Sequence, residues 1–246
     1  MTTDLDLTAY SALSFDCYGT LIDWESGIAA VLVPWAREQA LELSDEELLL
    51  AYADNEAAVQ TETPSALYPD VLAAAFRRTG DRLGRPVGDE WAQRLGSSVP
   101  EWPPFSDSAE ALGRLAQRYQ LIIVSNVHRD GFAGSNRHLH GDFAAVITAE
   151  DVGAYKPSEN HFRALDATLP RLGVDRSELL HVAQSLFHDH VPAKREGLPS
   201  VWMNRRHGRA GWGATPEPSE PWSYDLEFTS MAAFADAVEQ AVTSSR

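Results

Sequence analysis

Apolar and polar positions change their rhythm three times along the chain. After a polar start, Ala12-Leu13-Ser14-Phe15 has the length and composition of a short buried strand, and Asp16-Cys17-Tyr18-Gly19-Thr20 follows it with Gly19 marking a turn. The strand therefore ends by presenting Asp16. From about residue 23 to residue 100 the pattern is helical only. Ser44-Asp45-Glu46-Glu47 has the form of a capping box ahead of the apolar stretch Leu48-Leu49-Leu50-Ala51-Tyr52. Helical spacing over residues 68–83 tolerates Pro69 in its first turn.

Pro100-Glu101-Trp102-Pro103-Pro104 reads as a linker. Beyond it, strands and helices alternate. Ser108 is placed to cap a helix running to residue 118, and strands are expected over residues 121–124 (ending at Ser125), 144–147, 179–183 and 200–203. A last helix, residues 231–242, follows Ser230, and the stretch His207 to Gly213 with Pro216 and Pro218 reads as a loop. Alternating elements predict an α/β fold, a doubly wound parallel sheet with helices on both faces. The helices-only block after the first strand predicts an inserted, smaller all-helical domain. The expected division is a core of residues 1–22 and 101–246 and a cap of residues 23–100.

Composition narrows the function classes. The 246 residues carry 36 Asp and Glu against 20 Lys and Arg, a net charge of −16, and 44% of them are apolar, enough for a sizeable core. The acidic surplus excludes a nucleic-acid-binding surface, which needs clustered Lys and Arg. The start Met1-Thr2-Thr3-Asp4-Leu5-Asp6 has no cationic or apolar leader, and no apolar run approaches the roughly 18–20 residues that span a bilayer, so a cytoplasmic protein without a membrane partner is expected. Cys17, the lone cysteine, excludes an intramolecular disulfide and fits a reducing compartment as a small buried residue.

In an open parallel sheet, ligands bind outside the carboxyl ends of the strands. Reading off those ends gives Asp16, Ser125-Asn126, Lys156, and Gln184-Ser185 with Asp189 one turn on. A carboxylate can attack an electrophile to form an ester, hydroxyl and backbone N–H groups can hold an anion, and a lysine can offset negative charge.

With these residues in place the chain resembles the haloacid dehalogenase superfamily. Phe15-Asp16-Cys17-Tyr18-Gly19-Thr20-Leu21 matches its first motif, Ile123-Val124-Ser125-Asn126 the second, Tyr155-Lys156-Pro157 the third, and Val182-Ala183-Gln184-Ser185-Leu186-Phe187-His188-Asp189 the fourth. The resemblance implies a Rossmann-like core with a helical cap. It implies Asp16 as nucleophile, Thr20 and Ser125 steadying the carboxylate or substrate, Lys156 stabilising charge, and Asp189 in the loop that activates water or holds a metal. The phosphatase branch carries an acidic residue where this chain has Tyr18 and a metal-binding aspartate where it has Gln184. Both departures are similar to the metal-independent 2-haloacid dehalogenase branch, whose leaving halide needs no proton. No cofactor is then expected; Mg²⁺ enters only with the alternative, a small-molecule phosphatase.

The resemblance implies a small anionic substrate, a short 2-haloalkanoic acid, held by Lys156 and Ser125-Asn126 with Tyr18, Gln184, Ser185 and Trp24 around it. That branch draws an arginine for the halide from its cap. Residues 48–55 hold none, and Arg37, the only arginine between Leu21 and Phe76, is taken as the substitute. The branch's tyrosine six residues after the lysine is here Phe162, and its loop serine and asparagine correspond to Gln184 and Leu186. Displacement at carbon on another substrate, or a fold that has lost its chemistry, therefore stays open, as does a homodimer.

Plainer roles stand beside these. Asp16 could cap a turn, and Asp189 could cap the helix containing Ala193-Lys194-Arg195. His181, His188 and His190 lack zinc-ligand spacing. Trp35 and Trp91 fit packing roles, with Trp24 nearest the first motif. The chain holds 18 arginines and two lysines, and one of those two falls at Lys156, whereas Lys194 fits an exposed helix.

Overall fold

β1 (Ala12–Phe15) is buried at every position, as its apolar run requires, and lies inside a sheet of six strands. The computed structural model describes residues 5–209, 213–218 and 220–244, so the first four residues of the leader reading and part of the predicted glycine-rich loop lie outside the described residues. The other strands are β2 (Gln120–Ser125), β3 (Phe143–Thr148), β4 (Leu179–Ala183), β5 (Ser200–Met203) and β6 (Leu226–Phe228). All neighbours pair in parallel, in the order β3-β2-β1-β4-β5-β6. From β1 the chain winds outward through β2 and β3, then returns to the other side of β1 as β4. That reversal opens a crevice at the carboxyl ends of β2, β1 and β4. Asp16, Ser125 and Gln184 lie there. β6 went unpredicted because Leu-Glu-Phe at the sheet edge is too short to show an alternation.

Four helices fill the insertion: α1 (Trp24–Glu38), α2 (Asp45–Glu62), α3 (Tyr68–Arg82) and α4 (Asp89–Gly96). The Ser44 capping box forms, with Ser44 N–H donating to Glu47 Oε2 at 2.8 Å and Glu47 N–H to Ser44 Oγ at 3.3 Å. α2 buries Leu48, Tyr52, Asn55, Glu56 and Val59, one face at helical spacing, and packs on α3. Trp35 of α1 meets Phe76 of α3 edge-on, 5.0 Å between ring centres.

The core continues with α5 (Ser108–Leu115), α6 (Arg129–Leu139), α7 (Ala149–Val152), α8 (Asn160–Leu172), α9 (Val191–Arg195) and α10 (Met231–Ser244). α8 and α9 cover one face of the sheet through Phe162, Leu165, Leu169 and Ala193. The opposite face shares one apolar cluster with α5, α10 and the inserted helices. Ser108 begins α5 but does not cap it: its hydroxyl donates to Leu21 O at 2.8 Å, tying α5 to the loop after β1.

The predicted linker is a packed crossing. Trp102 is 1% exposed, and its indole occupies the space where a side chain on Gly27 would be, 2.3 Å from an added Cβ. Its ring stands edge-on to Tyr18 of the core and Tyr68 of α3, at 5.6 and 6.3 Å. Asp23 N–H donates to Pro103 O at 2.8 Å, so the outgoing and returning chains run side by side. Among the described residues no helix is long and apolar enough to cross a membrane.

Candidate active site

Beyond β1 the backbone folds sharply, with Leu21 N–H and Ile22 N–H both donating to Cys17 O at 2.7 and 2.9 Å. Gly19 adopts φ +92° within this turn and lies against the Gln184 side chain and the Trp24 indole, a conformation and a proximity that favour glycine. The turn brings Thr20 back over Asp16. Thr20 Oγ1 donates to Asp16 Oδ2 at 2.7 Å and accepts from Gln184 N–H at 2.9 Å. Arg205, from the loop after β5, donates Nε and Nη2 to Thr20 O at 3.1 and 2.9 Å, pairs with Asp107 at 2.9 Å and lies over the Phe105 ring.

Lys156 is delivered by the loop after α7. Its backbone N–H donates to Asn126 Oδ1 at 2.6 Å and its carbonyl accepts from Asn126 Nδ2 at 3.3 Å, so Asn126 fixes the lysine's main chain. The ammonium, only 2% exposed, donates to Asp16 Oδ1 at 2.9 Å, Asp189 Oδ1 at 2.7 Å and Val124 O at 2.9 Å. All three of its protons are committed. A surface role for this lysine is excluded.

Asp189 lies in a single wide helical turn, Leu186–His190, opened by Ser185, whose Oγ accepts from His188 N–H at 2.9 Å. It does not cap α9: its Oδ1 turns inward to Lys156 and to His181 Nε2 at 3.2 Å, and Oδ2 has no partner among the described residues. The Asp189 carboxylate can only accept, so His181 Nε2 is the donor in this bond, while Nδ1 faces Ser14 Oγ at 2.9 Å. Phe162 packs edge-on against this imidazole at 5.5 Å.

Burial works against each charge, and the outcomes differ. For Lys156, desolvation is outweighed by Asp16 and Asp189, which hold its pKa above the ordinary lysine value. For Asp189, burial is outweighed by Lys156 and the His181 bond, and its pKa is lowered. For Asp16, burial prevails over Lys156, reinforced by Asp189, and the pKa is raised. Two carboxylates sharing one cation divide it unequally.

Around this triad lies a cavity lined from the core by Asp16, Tyr18, Ser125, Asn126, Lys156, Gln184, Ser185 and Asp189, and by Trp24 at the start of α1. Tyr18 turns its hydroxyl away to Ser135 on α6, at 2.8 Å. Burial pushes its pKa well up, so it stays protonated at neutral pH. Ser125 Oγ is buried without a partner among the described residues, while its carbonyl faces His161 Nε2 at 3.2 Å.

Arg37 is not in the cavity. The inward face of α1 is taken by Ile28, Val31, Leu32 and Trp35, and Arg37 falls on its exposed side. The cap instead contributes Glu56, Gln60 and Tyr68, which the sequence analysis missed. One signal was available: residue 56 lies on the stripe set by Leu48, Tyr52 and Val59, a polar residue in an apolar pattern.

Mg²⁺ needs several oxygen ligands in an octahedron. Here Lys156 already occupies the position between Asp16 and Asp189, and Gln184 contributes only a neutral amide. Among the described residues no three His, Cys, Asp or Glu side chains are grouped to hold a metal.

The haloacid dehalogenase-like hydrolase family matches residues 10–183. The chain belongs to that family. An (S)-2-haloacid dehalogenase of Pseudomonas putida is 28% identical over 208 residues, 79% of this chain and 84% of the relative. A phosphoglycolate phosphatase of Pectobacterium atrosepticum is 30% identical over 222 residues, 88% of each chain. The L-2-haloacid dehalogenase of Xanthobacter autotrophicus has the same fold, with a TM-score of 0.77 at 20% identity over 94% of this chain and 98% of its own. This hydrolase thus joins the family's core and helical cap to a site in which one lysine bridges two aspartates.

Proposed function

We propose that this hydrolase removes halide from carbon 2 of a short 2-haloalkanoic acid through an ester on Asp16. A carboxylate oxygen of Asp16 attacks carbon 2, the carbon–halogen bond breaks, and halide leaves with the electron pair. Water then adds to the carbonyl carbon of the ester while Asp189 takes one of its protons through the unpartnered Oδ2. The tetrahedral species collapses by breaking the bond from the Asp16 carboxyl carbon to the ester oxygen. That oxygen leaves as the 2-hydroxy acid with the proton returned by Asp189, and the second proton passes to solvent as Asp16 regains its carboxylate. Lys156 and Thr20 stabilise negative charge on the Asp16 oxygens in the second step. Ser125 Oγ and the remaining N–H of Asn126 receive the substrate carboxylate; Lys156 contributes charge but has no free N–H. Residues 23–100 act as the cap that closes over the strand ends and excludes water from the first displacement.

The observation that carries this reading is the Tyr18 hydroxyl held by Ser135, which leaves the position two residues after the nucleophile without a carboxylic acid to protonate a leaving oxygen. Halide needs none. The likeness to the Pseudomonas putida enzyme supports it. The likeness to a phosphoglycolate phosphatase favours a second reading, phosphate-ester hydrolysis on the same Asp16. Halide and phosphate release, each with Mg²⁺ and with a chelator, separates them. Halide release indifferent to the chelator supports dehalogenation; phosphate release abolished by it supports the second reading. Neither product from a broad panel points to altered chemistry on the same fold.

A further inference from the structure

Glu56 has no part in the scheme above, yet it lines the same cavity as Asp16 and is only 5% exposed. Tyr68 Oη and Gln60 Nε2 donate to one of its oxygens, Oε1, at 2.9 and 3.1 Å. The other, Oε2, is buried without a partner among the described residues. A carboxylate with one bare buried oxygen is poorly solvated, whereas a carboxylic acid with its proton on Oε2 carries no charge to solvate. Burial accordingly raises the Glu56 pKa to about 7, against the bonds from Tyr68 and Gln60. Both forms are populated near neutrality.

The titratable groups around Glu56 do not neutralise it. Tyr52 on α2, Tyr68 on α3, Tyr155 beyond α7 and Tyr18 in the core are kept neutral by burial. Across the cavity stand Asp16, Asp189, His188 and Lys156. Burial lowers His188 to about 4, so it is uncharged, and the Lys156 protons are all committed. α1 brings Trp24 to the lining and no charge, since Arg37 is exposed. An anion entering this space therefore meets no free cation among the described residues.

We propose that Glu56 is a specificity-determining residue of the cap: as a neutral carboxylic acid it admits an anionic substrate, and as a carboxylate it turns one away. The proposal rests on the reading above in so far as the substrate is a carboxylate. Binding an anion to enzyme whose Glu56 is ionised then takes up one proton from solvent. The apparent KM for a 2-haloacid rises with pH above about 7, approaching about tenfold per pH unit.

The test compares the natural chain with Glu56→Gln, which keeps an acceptor for Tyr68 and Gln60 and cannot ionise. KM for 2-chloropropionate is measured between about pH 6 and 9 at constant ionic strength. The expected result is a rising KM in the natural chain, a flat one in Glu56→Gln, and the same kcat profile in both. Parallel slopes, or a KM changed by one factor at every pH, overturn the proposal. Propionate, which has no leaving group, keeps this distinct from the proposed reaction. Its binding is measured by calorimetry in Tris and in HEPES. Proton uptake by the natural chain and none by Glu56→Gln supports the proposal even if no halide is released. Equal uptake in both, or no propionate binding at about pH 6, overturns it.

Discussion

Lys156 reaches Asp16 across 2.9 Å from 140 residues further along the chain, and the same ammonium holds Asp189 at 2.7 Å. Replacing it by methionine leaves two carboxylates buried without their cation. Removing one partner from a buried ion pair costs about 3–5 kcal/mol, so Lys156→Met should lower the urea midpoint sharply. Halide release should fall by at least about 100-fold in the fraction that remains folded.

Asp16 attacks only as a carboxylate, and its pKa is raised from 3.8 by burial, with Lys156 opposing and Asp189 adding. Activity should therefore be lost as pH falls through a midpoint above 3.8. The Thr20 hydrogen bond favours the ionised form. Thr20→Val removes it and should move the acid limb of kcat/KM to higher pH, while costing about 1–3 kcal/mol through the partners left on Asp16 and Gln184.

Tyr18→Phe should keep kcat for halide release within about a factor of three, because the lost hydroxyl bonds Ser135 and not the leaving group. Unfolding in urea should show a loss of about 1 kcal/mol. A drop in kcat of about 100-fold or more would make Tyr18 a proton donor and contradict the proposed chemistry.

Two arginines give opposite expectations. Arg37 is exposed on α1, so Arg37→Ala should change stability by no more than about 0.5 kcal/mol and leave KM for haloacid unchanged. Arg205 binds the Thr20 carbonyl twice and pairs with Asp107. Arg205→Ala leaves a mostly buried aspartate and a carbonyl without partners, and should both destabilise the chain by about 3–5 kcal/mol and lower kcat. Parallel denaturation and steady-state kinetics on the two variants check this.

The contrast between these arginines shows what the sequence made legible. The strands of the crevice were readable because burial on both faces requires continuous apolar runs, and Asp16, Ser125 and Asp189 stand at or just beyond their ends in recognisable local order. Arg37 was chosen by elimination along the chain, but helix periodicity around Trp35 decides its direction, and that direction is outward. Arg205 comes to Thr20 across 185 residues, a contact no local pattern encodes. Trp102 was hidden in a proline-rich segment that reads as loose chain and is the packed join of cap and core. Glu56 did leave a trace, a carboxyl on the apolar stripe of α2, whose meaning appears only when α3 and the crevice close around it.

The central claim is that Asp16 forms the ester and that water attacks the carboxyl carbon of that ester. A single turnover of 2-chloropropionate in ¹⁸O-water, with enzyme in excess, tests it by mass spectrometry of the peptide containing Asp16 and of the 2-hydroxy acid released. The predicted result is ¹⁸O in Asp16 and none in the product hydroxyl. An unlabelled Asp16 with ¹⁸O in the product would contradict the account.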